Sequence, residues 1–193
     1  MGMPATQSRR WTPEEVRRLT ERSPSHWPRY ELIDGELLVS PAPRVSHHLA
    51  FTRLLGTLLA YTDRERCGRA MASPADLQLE PDSIVQPDLF VLPPHDFARV
   101  RSWADFSNLL LAVEILSPST AAHDRGFKRR YYQRTGVTEY WIVDLDARVV
   151  ERWRPLDTRP EILAHELVWH PAGALAPLVI DLKELFLEAE TAE

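Results

Sequence analysis

Apolar and polar residues follow one another along this chain in two rhythms, one of helices and one of strands. At the start, Thr12-Pro13-Glu14-Glu15 sets a capping hydroxyl, a proline at the first helical position and an acid at the third, predicting a short helix that Pro24 and Pro28 close. Residues 30–33 and 36–40 alternate like strands, and the Asp34-Gly35 dipeptide between them accepts the positive backbone angles of a tight hairpin turn. Beyond Pro41-Ala42-Pro43, the residues Leu54, Leu55, Leu58, Leu59 and Tyr61 recur at near-helical spacing, which predicts an amphipathic helix over 46–66 covering a sheet. Strands are predicted around 75–79 and 85–92, followed by a loop rich in proline and charge. Residues 109–116 are apolar on both faces except for Glu114, as in a central strand covered on both sides. Ser117-Pro118-Ser119-Thr120 breaks that strand and caps a helix over 121–134, which Gly136 ends. A strand pair, 139–145 and 149–154, turns at Asp146-Ala147, and a last helix lies near 182–190. The order predicts an α/β (α+β) architecture: a mixed central sheet flanked by helices, one domain over 29–190, preceded by an extension over 1–28 that holds the short helix.

Composition narrows the function classes. With 193 residues, 44% hydrophobic and 26% charged, the chain suits one ordinary globular core. Its apolar runs fall well short of the roughly 20 residues a membrane-spanning helix needs. Residues 1–10 lack the apolar stretch of a secretory signal, and the single Cys67 cannot form an intramolecular disulfide, so both point to a reducing cytoplasm. Met1-Gly2 with Thr6 fits a myristoylation pattern formally, but so few fixed positions make chance the better explanation. A formal net charge of -5 argues against a surface basic all over, so any nucleic-acid site is local. One window is suited to it: Arg125, Lys128, Arg129, Arg130 and Arg134 stand within ten residues that contain no acid. A solvated helix face is the plainer reading of the same window.

Glu114 is the most informative residue. A carboxylate within Leu-Leu-Leu-Ala-Val-Glu-Ile-Leu loses hydration worth roughly several kcal/mol unless a metal or another cation compensates it. Alternation places it with Leu110, Ala112 and Leu116, opposite Val113 and Ile115; the structural alternative is a glutamate at the open strand end, paired with an arginine. Asp88 follows Pro87 at a strand start, where a plain turn aspartate is the alternative. Together the two acids offer the oxygen-rich site that Mg²⁺ prefers, completed by waters and a substrate phosphate. Lys128 lies one helical turn after Asp124, sharing a face with Tyr131 and Thr135. An ordinary surface ion pair explains that spacing; if the face turns toward the strand ends, the lysine can orient or deprotonate a water and stabilise charge on a phosphate. Glu36 and His47 are weaker candidates, explained as well by an outward strand residue and a solvated or structural histidine. The histidines show no zinc spacing, one cysteine excludes a Cys-based zinc site, and neither a glycine-rich phosphate loop nor a serine nucleophile elbow is present. Trp141, Trp153 and Trp169 suit buried core better than an interface.

The ordered set Tyr30-Glu31-Leu32-Ile33-Asp34-Gly35-Glu36, Ser40-Pro41-Ala42-Pro43, His47, Pro87-Asp88, Glu114-Ile115-Leu116-Ser117-Pro118-Ser119, Asp124, Lys128 and Gly136-Val137-Thr138-Glu139-Tyr140-Trp141 resembles the Uma2 family of restriction-endonuclease-like proteins, also called DUF820, over about 30–154. The resemblance implies a PD-(D/E)XK nuclease fold and a Mg²⁺- or Mn²⁺-dependent endonuclease acting on DNA. On these positions it implies Asp88 and Glu114 as metal-binding and catalytic acids, with Glu36, His47 and Asp124 in support. The superfamily's lysine position, two after the second acid, is Leu116 here, so Lys128 would enter from the next helix as the third catalytic residue. Arg125, Arg129 and Arg130 become the DNA-contacting candidates, and family members are often homodimers. Two rival readings remain: a catalytically silent domain that binds nucleic acid or protein, and a different metal hydrolase using the same carboxylates.

Overall fold

In the computed structural model, which describes residues 9–23, 27–94 and 100–190, local chemistry sets the first elements. Helix α1 (Pro13–Glu21) is capped reciprocally: Thr12 Oγ1 accepts from the Glu15 N–H at 3.3 Å, and the Glu15 carboxylate accepts from the Thr12 N–H at 3.0 Å. Its Val16 is fully buried against Leu32 and Ile84. Strands β1 (Arg29–Ile33) and β2 (Glu36–Ser40) form the expected antiparallel hairpin, with Asp34 at φ 54° and Gly35 at φ 78° in the turn. Helix α2 (Val45–Glu65) follows, ending where Arg66 takes a left-handed conformation. Pro24 and the myristoylation pattern lie outside the described residues, as does part of the loop after Leu92.

The main sheet has six strands in the order β3-β4-β5-β6-β7-β8: β3 (Arg69–Ala72), β4 (Leu89–Leu92), β5 (Leu111–Ile115), β6 (Glu139–Asp144), β7 (Val149–Trp153) and β8 (Glu161–Leu163). Only β5 and β6 pair in parallel among these neighbours, so the chain crosses between them over one sheet face. The crossover carries one contiguous helical run: α3 (Ala121–His123), a π-helical turn over Asp124–Lys128, and α4 (Arg129–Arg134). A ribbon of β9 (Glu166–Trp169) and β10 (Leu178–Asp181) precedes α5 (Leu182–Glu190).

Strand alternation divides the core in two. Leu111, Val113 and Ile115 point into a cluster with α2 and α5 that includes Leu54, Leu58, Trp141 and Trp169. Ala112 and Ile142 face the other layer, with Ile33 of the hairpin and Tyr131 and Tyr132 of the crossover. Trp141, Trp153 and Trp169 are all core residues, the most exposed at 7%.

Several expectations need correction. No strand occupies 75–79; Leu77 makes an isolated bridge to Val85, and the strand falls earlier, at β3. Arg-Ala-Met-Ala has little β-propensity of its own, and pairing with β4 overrides it. The strand predicted from 85 begins only at Leu89, because Pro87 has no N–H for a ladder. The crossover helix is interrupted by its π turn, and the short strands β8 to β10 escaped prediction.

Candidate functional site

Register alone brings the two strand acids together. Leu89 pairs with Val113 in the antiparallel β4–β5 ladder, so the next position outward sets Asp88 beside Glu114 on the face toward the crossover, where opposite side chains start about 4.5–5.5 Å apart at Cβ. Both carboxylates are buried, at 3% and 4% exposure. The crossover helix, lying across that face, lowers Lys128 onto them: its Nζ donates to Glu114 Oε1 at 2.8 Å and lies 2.8 Å from Glu31 Oε2. Asp124, one turn earlier, has its Oδ1 3.6 Å from the same ammonium. The expected Asp124–Lys128 pairing is therefore real but not a surface pair, since both side chains are at most 4% exposed. Nor is Glu114 an open-end residue held by an arginine.

Glu31, not singled out as a site residue from sequence, is the missing member. It sits in β1 on the same side as Ile33, accepts the Gln86 N–H at 2.7 Å through Oε1, and shares Lys128 with Glu114. Its signal was the one that exposed Glu114: a carboxylate inside an apolar strand. Glu36 is different, because it stands exposed at the turn end of the hairpin, opposite Ile33. The hairpin residues lining the cavity are Arg29, Glu31 and Ser40 at the other end, so Glu36 is not among the residues brought together.

His47, from the first turn of α2, places Nε2 3.1 Å from Asp88 Oδ2; the Ile115 N–H donates to the same oxygen at 2.9 Å, and Arg29 Nη1 donates to Oδ1 at 2.7 Å. Burial works against charge on Asp88, but the hydrogen bond and charge of His47, the Arg29 guanidinium and the Ile115 N–H outweigh it and hold its pKa far below the usual carboxylate value. Glu114 is driven the other way: burial, and then the carboxylates of Asp124, Asp88 and Glu31, raise it well above the usual range against the pull of Lys128. Burial likewise raises Asp124. Burial tends to discharge Lys128, yet Glu114, Glu31 and Asp124 together raise its pKa well above that of a free lysine. Tyr132 Oη donates to Glu114 Oε1 at 3.4 Å, and Tyr140 Oη to the Asp124 carbonyl at 3.2 Å, closing the inner wall.

The cavity among these groups measures about 40 Å³. A water needs only about 10–15 Å³ on that measure, so an ion with a water fits and a nucleotide does not; a larger substrate would lie across the mouth. Four buried carboxylates, Glu31, Asp88, Glu114 and Asp124, face Arg29, Lys128 and His47, so the acids outnumber the cationic groups, and the raised pKa values of Glu114 and Asp124 reflect burial and that crowding. Asp124 Oδ1 is buried without a hydrogen-bond partner. Hard oxygen donors, a buried carboxylate oxygen that accepts no hydrogen bond and a crowd of acids fit a divalent cation of the Mg²⁺ type, which takes one or two carboxylates and fills its remaining positions with water and phosphate. Among the described residues no three acidic, His or Cys side chains form a ready-made metal cluster. His48, His123, His165, His170 and Cys67 lie outside this arrangement, and Cys67 is buried with its thiol pKa raised by burial.

The basic window is mostly spoken for. Arg125 donates to Glu151 at 2.6 Å and Asp144 at 2.7 Å, and Arg134 to Asp34 and Glu80, both at 2.7 Å. Lys128 is buried with its acids. Arg129 binds the Gln133 side chain at 3.0 Å and lies over Trp153, while Arg130 is exposed and lies over Phe127.

A sequence profile of the family described as "Putative restriction endonuclease", Uma2, matches residues 13–181. The chain belongs to the Uma2 family. As a Uma2 protein it is similar in structure to a DUF820 "putative nuclease" from Anabaena variabilis, with a TM-score of 0.71 and 20% identity over 92% of this chain and 98% of that one. At that identity the likeness shows the fold alone, which in this chain is a mixed six-stranded sheet between helices. No curated relative matches the Uma2 chain. Among its described residues no helix is long and apolar enough to cross a membrane.

Proposed function

We propose that the chain is a Mg²⁺- or Mn²⁺-dependent endonuclease that hydrolyses phosphodiester bonds in DNA, with Asp88, Glu114 and Lys128 as its working residues. The observation that carries this reading is the meeting of two strand carboxylates and one helix ammonium in a single buried cavity, where four carboxylates crowd against Arg29, His47 and Lys128. Asp88 and Glu114 would hold the ion, and the ion supplies a polarised phosphate oxygen and an activated water. Lys128 has a narrower part than sequence suggested. Held protonated by its carboxylates, it serves as a fixed positive charge for the phosphoryl oxygens and is unsuited to accept a proton from water. Glu31 keeps the ammonium in place from the far side, and Asp124 offers Oδ1, which accepts no hydrogen bond, to the water or ion shell.

The test is cleavage of supercoiled plasmid and of a synthetic duplex with Mg²⁺ or Mn²⁺, comparing the native chain with Asp88→Asn and Glu114→Gln after both variants are shown to fold. Each should lose activity by roughly a hundredfold or more, the scale set by removing one preorganised electrostatic group. Equal cleavage by both variants overturns the proposal. The silent binding-module reading predicts no metal-dependent cleavage by any of them, with duplex association retained.

A further inference from the structure

Asp88 is the most heavily engaged carboxylate of the site. Oδ1 accepts Arg29 Nη1 at 2.7 Å, while Oδ2 faces the Ile115 N–H at 2.9 Å and His47 Nε2 at 3.1 Å. An acid asked to bind a cation is thus already satisfied. Of the three partners, the Ile115 N–H belongs to the rigid central sheet, and the His47 ring is anchored at the start of the long helix α2. Arg29 is the partner on the longest side chain: it sits at the outer end of β1, in the last pair of the hairpin with Ser40, at the cavity wall. Its guanidinium carbon lies 4.6 Å from the centre of the Trp27 ring, an aromatic face that supports the planar group in more than one in-plane orientation.

A divalent ion and a guanidinium cannot both own Oδ1, because the oxygen is buried and the two charges repel. Displaced from it, the guanidinium would lie at the mouth of the cavity, where its planar fork of N–H donors matches a phosphate diester. We infer that Arg29 is the substrate-phosphate residue of this site: it occupies Asp88 Oδ1 until a divalent cation takes that oxygen, and then turns its guanidinium to the DNA phosphate beside the ion. The inference rests on the metal-dependent nuclease reading and deepens it, since it makes the arginine a competitor of the cation and a partner of the substrate.

The two roles predict effects of opposite sign. By calorimetry without DNA, Arg29→Gln should bind Mn²⁺ roughly tenfold more tightly than the native chain, the scale on which neighbours of metal ligands act. In Ca²⁺, which holds a short duplex without cleavage, the same variant should bind that duplex roughly tenfold more weakly, with a salt slope shallower by about one. Arg29→Lys, keeping a charge but not the fork, should leave Mn²⁺ affinity near the native value and still weaken the duplex. Asp88→Asn should abolish Mn²⁺ binding. Weaker Mn²⁺ binding in Arg29→Gln, or no change in either affinity while the native chain binds Mn²⁺, overturns the role of Arg29 alone. Failure of the native chain to bind Mn²⁺ overturns both this inference and the metal reading beneath it. If Arg29→Gln does not fold, Arg29→Lys decides, an unchanged duplex affinity being the contrary result.

Discussion

Replacing Lys128 with methionine keeps the volume of the side chain and removes its charge, leaving Glu31, Glu114 and Asp124 buried around nothing positive. Each 2.8 Å contact carries a gross attraction of about 6 kcal/mol at an effective dielectric constant near 20. Taking the ammonium and its acids out of water cancels much of that, and breaking a buried pair by removing one partner costs about 3–5 kcal/mol net. At roughly 2–4 °C per kcal/mol for a domain of this size, the melting temperature should fall by about 6–20 °C. The raised pKa of Lys128 means that its contribution is complete below the lysine pKa of the unfolded chain, about 10.4, and is lost only as pH rises through the still higher folded value. The loss in Lys128→Met should therefore be present at neutral pH. Calorimetric melting at pH 7 measures it, and Glu31→Gln added to Lys128→Met should restore part of the loss by removing one of the stranded charges. A fall below about 2 °C, or a double variant no better than the single one, would refute the claim that this ammonium holds the acids together.

Gly68→Ala should destabilise the chain by about 1–3 kcal/mol, the usual cost of overpacking, because an added Cβ would stand 2.4 Å from the Leu92 carbonyl oxygen of the neighbouring strand; denaturant unfolding with an unchanged midpoint would contradict this. Arg130→Ala should reduce the salt slope of duplex binding by about one, whereas Arg125→Ala, removing a cation already paired with Asp144 and Glu151, should leave that slope unchanged; the reverse ranking would count against the assignment of the basic window. Arg134 lowers the pKa of Asp34, so the pairing adds stability above the aspartate's unfolded pKa near 3.9 and loses it as pH falls through the folded value. Asp34→Asn, which suits the same turn, should then flatten the decline of stability in that acidic range, and an undiminished acid slope would contradict it.

What could be read from the residues follows how local the deciding physics is. Asp34-Gly35 carries its own turn, Thr12 and Glu15 cap their own helix, and Glu114 stands out because nothing nearby in sequence excuses a charge within an apolar run. Asp88 and Lys128 could be nominated from strand start and helix spacing, together with the family resemblance. Their meeting with Glu114 depends on the β4–β5 register and the seat of the crossover helix. Long-range contacts decide the remainder. Glu36 looked eligible because it lies in the hairpin, but pairing with Ile33 puts it at the exposed end and leaves Glu31 facing Lys128. The acid-free basic window takes its counter-charges from Asp34, Glu80, Asp144 and Glu151, far from it in sequence. Strand β3 draws on its neighbour for what its alanines lack, and β8 to β10 are three or four residues each, too short for an alternating pattern to stand out.

The most direct measurement of the central claim is anomalous diffraction from crystals soaked in Mn²⁺. A cation bound by Asp88 and Glu114, with the Lys128 ammonium still against Glu31 and water completing its shell, is the result expected. Occupied Mn²⁺ sites only elsewhere on the surface, with Asp88 still closed by Arg29 at saturating metal, would contradict the account.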